Sequence, residues 1–139
     1  MCYQTILELC DIVRQTAYAI HRYHGHGHLE KVYENALCHR LRKLGLSVLT
    51  QQPHTVYDSD GFILGEYFSD LWVEDRLIVE IKAARSLSEE HTAQVLGYLK
   101  SSAIEHGLLI NFGSSRFQIR KFILNDILSE PQTQSNIHI

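Results

Sequence analysis

The sequence has no long apolar run. No stretch approaches the roughly 18–20 unbroken apolar residues that a bilayer span needs, so no membrane helix is expected. The opening residues, MCYQTILELCDIV, lack a basic start and carry Glu8 and Asp11 inside their apolar run, which argues against a secretion signal. Cysteine is sparse as well. Cys2, Cys10 and Cys38 are odd in number and show no C-x-x-C spacing, so neither a disulfide framework nor a thiolate metal site is indicated. Reduced thiols in a cytoplasmic protein are the expectation, with Cys10 and Cys38 on the apolar stripes of helices. An excess of positive charge is also missing: 13 Lys and Arg stand against 16 Asp and Glu, a net charge of −3. That weighs against a basic nucleic-acid-binding surface. It does not exclude one, because carboxylates committed to a cation site count against the total while being locally neutralised.

What is present is an ordinary globular composition. The 139 residues, 45% hydrophobic and 21% charged, suit one domain with a real core. The expected division is a single domain over residues 1–128 and a polar, flexible tail over 129–139, with no internal repeat.

Residues 3–22 place Ile6, Leu9, Cys10, Val13, Ala17 and Ile20 at helical spacing. The glycines of YHGHGH interrupt it, and a second helix follows with Leu29, Val32, Tyr33, Ala36, Leu37, Leu41 and Leu44 on one face. Residues 46–52 and 55–57 are short β candidates separated by Pro53, which cannot donate to a central ladder. Asp58-Ser-Asp-Gly61 is turn chemistry, and a strand then runs through Asp70 to Val73. A third helix, capped by Ser86 or Ser88, is expected to reach about His106 and to stop at Gly107. Its apolar positions nearly encircle it, as on a helix packed against a sheet. LLINF reads as a buried strand and RFQIRKFI as an edge strand. The order α, α, β-meander, α, β, β implies one sheet with helices packed on it.

The register of the hairpin at its centre follows from alternation. Leu71 and Val73 alternate with Asp70 and Trp72; Leu77, Val79 and Ile81 alternate with Ile78, Glu80 and Lys82. A two-residue turn at Glu74-Asp75 would pair Asp70 with Val79, mixing charge with core. A three-residue turn, Glu74-Asp75-Arg76, pairs Leu71 with Val79 and sets Asp70 opposite Glu80. A one-residue slip flips every side chain, so the pattern selects the second register. Like charges directly opposite repel unless something positive lies between them. Mg²⁺ or Mn²⁺, hard ions that take one or two carboxylates plus waters and phosphate oxygens, would serve. So would Lys82, pairing Glu80 in a ladder on a solvated face.

The surrounding motifs narrow this choice. Gly27-His-Leu-Glu30-Lys-Val-Tyr33 reads G-x-x-E-x-x-Y. It is followed by G-E-Y-x-x-D-L, V-E-D-R, I-V-E-I-K, H-x-x-Q-x-x-x-Y-L-K and G-L-L-I-N-F-G. Over residues 25–123 the chain resembles the GxxExxY protein family, a branch of the PD-(D/E)xK nuclease-like superfamily. The resemblance implies an α/β restriction-endonuclease-like core, with a central mixed β-sheet flanked by α-helices. It implies a metal-dependent nuclease, using Mg²⁺ or Mn²⁺ on nucleic acid, DNA in the first instance. Asp70 and Glu80 would be metal ligands, with the backbone carbonyl of Ile81 and with Glu30 of the second helix. Lys82 matches the catalytic lysine, and Gln94 and Tyr98 match a Q-x-x-x-Y helix motif beside the site. Asp70 follows Ser69 where the superfamily's name has proline.

Three other sets are weighed beside these. His21, His24, His26 and His28 cluster before Glu30; their spacing matches no closed zinc site, and a polar loop is the simpler account. His28 is kept as a substrate contact. His91 shares a helix face with Gln94 and Tyr98, and serves equally as a substrate contact or as a hydrogen-bonded residue near the helix start. Arg85, Lys100, Arg116, Arg120 and Lys121 can follow a phosphate backbone or simply be solvated. The alternative from another class is a catalytically silent module that keeps the fold and binds nucleic acid or a protein. A homodimer and a subunit of a larger complex are both compatible with the small size.

Overall fold

A computed structural model describes residues 5–124 and 137–138. Helices α1 (Ile6–His24) and α2 (Glu30–Lys43) come first, then strands β1 (Val48–Tyr57), β2 (Ile63–Val73) and β3 (Leu77–Lys82). Helix α3 (Glu89–Ser102) leads into β4 (His106–Asn111) and β5 (Gln118–Ile123), and the short β6 (Ile137–His138) pairs with β5. The sheet order is β1-β2-β3-β4-β5-β6, antiparallel throughout except for β3 and β4. The parallel pair requires a crossover, which α3 provides. Of the tail expected from residue 129, all but Ile137 and His138 lies outside the described residues.

Alternation divides the core between two faces. Leu77, Val79 and Ile81 of β3 pack with Leu9, Val13, Ala17 and Ile20 of α1 and Tyr33, Leu37 and Leu41 of α2. Ile78, between them, turns the other way and joins Val95 and Leu99 of α3, with Leu109 and Phe122. Thr5 caps α1 in a capping box with Glu8, which satisfies two otherwise orphaned amides. Cys10 and Cys38 are buried free thiols, as their helical positions suggested.

Four details depart from the sequence reading. The β1 strand runs unbroken through Pro53, because β1 is an edge strand and its outer amides need no ladder partner. Helix α3 ends at Ser102 on a left-handed Ala103, whose amide donates back to Leu99 and Lys100 carbonyls; Gly107 lies within β4. Gly107 is wanted there for space, since a Cβ would stand 3.3 Å from the Leu99 side chain. Only one side of α3 is buried, with Ala93 exposed, because a single layer covers that face of the sheet. Val32 of α2 and its two cap residues, Leu29 and Leu44, are exposed, so the apolar stripe is narrower and shorter than their spacing implied.

The hairpin register is the expected one. Leu71 pairs with Val79, Trp72 with Ile78 and Val73 with Leu77, around a three-residue turn in which Glu74 and Asp75 adopt positive φ. Asp75 accepts from the Trp72 indole, and the Glu74 carboxylate accepts from the Ser47 amide at 2.6 Å. These bonds offset the cost of two left-handed non-glycine residues.

The loop leaving β3 is clamped by one buried side chain. Asn111 Oδ1 accepts from the Ala84 and Gly113 amides, and its Nδ2 donates to the Ala84 carbonyl and to Gln118. Gly113 lies so close that an added Cβ would stand 2.3 Å from the Ala83 carbonyl carbon. Backbone cannot swing aside as a side chain can, so Gly113→Ala should cost about 1–3 kcal/mol or more. Gly97 in α3 has open space around it, and Gly97→Ala should instead stabilise by about 0.5–1 kcal/mol. Thermal melts of the two variants should therefore move in opposite directions from wild type; a shared direction would contradict this packing.

Candidate active site

The β2–β3 ladder stops at Leu71 and Val79, one step short of the carboxylates. Beyond it the strands are joined by side chains. The Ile81 amide donates to Asp70 Oδ2 at 2.8 Å, and the Asp70 amide points at Glu80 Oε2 at 3.3 Å. In a strand the N–H and C=O of one residue point to the same side. The Ile81 carbonyl therefore faces the gap that holds Asp70.

The cause lies partly in β1. Its pairing with β2 is continuous from Val48↔Val73 to Val56↔Gly65 except opposite Asp70, where Gln51 has φ +50° and makes no ladder pair. Val48 and Leu71 pack on the α1/α2 face, whereas Val56 and Tyr67 pack on the α3 face. Each pair is separated by an even number of residues, so both strands change face at Gln51 and Asp70. This twist delivers Asp70 to the gap and turns Tyr67 inward.

Tyr67 belongs to the G-E-Y motif, which by itself assigns it no role. Its hydroxyl donates to Glu80 Oε2, and its ring stacks on Tyr98 of α3 at 3.8 Å between centroids. Glu80 and Lys82 line a cleft of about 330 Å³ with Glu66, Tyr67, Phe68, Gln94, Val95 and Tyr98. Burial, and after it the Asp70 charge, push the Glu80 carboxyl up to about 8. Burial and Glu80 also raise the Tyr67 hydroxyl, so it stays a proton donor.

The second helix closes the other side. Glu30, the first residue of α2, accepts from the Ala83 amide at 3.4 Å, beside the end of β3. One turn on, Glu34 is only 5% exposed. It accepts from Lys31 at 3.0 Å and from Gln51 Nε2 at 3.4–3.5 Å, and the same Nε2 donates to Asp70 Oδ1 at 3.2 Å. Sequence reading missed Glu34 and Gln51. The i, i+4 spacing from Glu30 was a usable signal for Glu34; Gln51 had none, because its role depends on the left-handed backbone.

Asp70 and Glu80 thus meet across the opened ladder with the Ile81 backbone between them, Lys82 shares the Glu80 cleft with Gln94 and Tyr98, and Glu30 lies beside Ala83 just past the end of β3. His91 is engaged elsewhere: its Nδ1 accepts from the Ser88 amide, closing the cap of α3. The His28 amide donates to the Tyr33 hydroxyl, and its ring rests against His24 and Tyr33. Arg85 is exposed on the loop after β3. Of the basic set, Arg120 is held by Thr92 Oγ1 at 2.6 Å and Lys121 lines a separate cavity beside Cys10.

A comparison with protein families matches residues 7–122 to the PD-(D/E)XK nuclease superfamily. The chain belongs to that superfamily. No curated protein matches it. Among solved structures it is similar to the crystal structure of SSO0001, at 16% identity and a TM-score of 0.53, over 75% of this chain and 59% of that one. That likeness concerns the restriction-endonuclease-like fold: a mixed central sheet of five strands, extended by the short β6, between three helices.

Superfamily members generally use divalent metals. Among the described residues no three His, Cys, Asp or Glu side chains form a metal-holding group. A magnesium-type ion does not require three, since one or two carboxylates suffice with carbonyl, water and phosphate oxygens. Asp70, Glu80 and the Ile81 carbonyl supply hard oxygen donors at one gap. The residues fit such an ion.

Glu80 binds its proton more tightly folded than unfolded. Its stabilising contribution is complete below the ordinary glutamate range and is lost as pH rises through about 8. Without divalent ions, stability should fall from about pH 5 to pH 8, by up to about 1.4 kcal/mol per unit from this group. Denaturant melts of Glu80→Gln should show a flatter slope than wild type; an unchanged slope would remove Glu80 as the cause.

Proposed function

We propose that the protein is a metal-dependent nuclease of the G-x-x-E-x-x-Y branch, hydrolysing phosphodiester bonds in nucleic acid, DNA in the first instance. The observation that carries this is the meeting of Asp70 and Glu80 across the opened β2–β3 ladder, in a superfamily of nucleases, with Lys82 in the adjoining cleft. Asp70, Glu80 and the Ile81 carbonyl would hold Mg²⁺ or Mn²⁺, with Glu30 close by. A bound divalent ion supplies Lewis acidity, making water a nucleophile near neutral pH and offsetting charge on the phosphoryl oxygens. Lys82 orients the attacking water and stabilises the charge that develops at phosphorus. Tyr67 fixes the Glu80 carboxylate by donating to one oxygen. Tyr98 buttresses Tyr67 by stacking, and Gln94 stands on the cleft wall where it would meet the substrate.

Labelled single-stranded, duplex and branched DNA, and RNA, incubated with the protein in Mn²⁺ provide the test. Cleavage of at least one is expected. Lys82→Ala should slow it by about 100-fold or more, as loss of a transition-state donor does. Asp70→Ala should abolish both cleavage and calorimetric Mn²⁺ binding. Absence of cleavage by wild type with Mn²⁺ binding retained would favour a silent binding module, and full activity of Lys82→Ala would end the mechanism.

A further inference from the structure

We propose that Gln51 is a positioning residue, whose amide, anchored on the buried Glu34, aims the Asp70 carboxylate at the cation position. The inference rests on the metal-dependent reading above and adds a part to it.

Gln51 lies in the middle of a ten-residue strand, yet has φ +50°. Left-handed backbone is uncommon for residues other than glycine, asparagine and aspartate, and it tends to be kept where the neighbouring structure makes use of it. Here its effect is local and specific. The β1–β2 register is the same on both sides of Gln51, so the left-handed residue inserts no bulge and shifts no pairing. It releases one pair, Gln51 and Asp70, from the ladder and brings the Gln51 side chain to α2.

There Nε2 lies 3.2 Å from Asp70 Oδ1 and 3.4–3.5 Å from both Glu34 oxygens. An amide NH₂ has two hydrogens, enough for one bond to each carboxylate. Asp70 is then fixed at both oxygens, Oδ2 by the Ile81 amide and Oδ1 by Gln51. Glu34 keeps its own charge balanced by Lys31, so the anchor is stable without drawing on the site. Partners of this kind orient metal ligands, and losing one typically costs 10–100-fold in metal affinity.

Gln51→Asn separates this role from a merely structural one. Asparagine tolerates left-handed backbone, so the fold should persist, but its side chain is one methylene too short to span Glu34 and Asp70. Calorimetry with Mn²⁺ should show the dissociation constant raised about 10-fold, with the melting temperature within about 3 °C of wild type. A dissociation constant within twofold of wild type overturns the proposal. So does a loss of affinity that comes with a large fall in melting temperature, unless Glu34→Gln, which leaves the Gln51 backbone untouched, also weakens Mn²⁺ binding by several-fold. If wild type itself binds no Mn²⁺, the metal-dependent reading fails first, an outcome distinct from failure of the Gln51 variant alone.

Discussion

Two carboxylates facing one another between apolar strands are unfavourable, and the arrangement around them follows from how that repulsion is contained. Asp70 and Glu80 each take a backbone amide from the opposite strand where a ladder bond would otherwise be. A carboxylate accepts more strongly than the carbonyl it replaces, so the 2.8 Å bond from the Ile81 amide to Asp70 keeps the strands joined although the ladder has ended. The same containment brings the Tyr67 hydroxyl to Glu80 and the Gln51 amide to Asp70. Burial, and after it the Asp70 charge, nevertheless leave Glu80 holding a proton far above the ordinary range.

The rest of the fold serves to keep that gap open and supported. Leu71, Val79 and Ile81 anchor the strands on the α1/α2 face, and Ile78 with Leu109 anchors them on the α3 face. Because β4 runs parallel to β3, α3 must cross the sheet, and the crossing carries Gln94 and Tyr98 to the cleft. Asn111, at the end of β4, fixes the backbone just after Lys82 through Ala84. The lysine therefore extends from a strand whose far end is clamped.

How much of this could be read from the sequence depended on periodicity. Apolar residues at 71, 73, 77, 79 and 81 admit only one register that keeps charge out of the core, and the structure has it. The order of elements and the inward faces of α1 and β3 were legible for the same reason. Gly107 misled, because a glycine after an apolar helix resembles a cap; here it makes room for Leu99 inside a strand. Pro53 misled because a ladder-breaking residue is harmless on an edge. The roles of Tyr67 and Gln51 were beyond reach for another reason: their partners lie 13, 17 and 19 residues away, and the contacts exist only because two strands change face together.

That change of face has a bearing on association as well as on chemistry. A ten-residue edge strand with Leu49 and Tyr57 exposed offers unpaired backbone that another chain could extend. In β1 the left-handed Gln51 turns the edge out of one plane, and Pro53, two residues on, lacks the amide that a docking strand would require. The left-handed residue that brings an amide to Asp70 thus stands on the same edge as a proline, two features that disfavour edge-to-edge pairing.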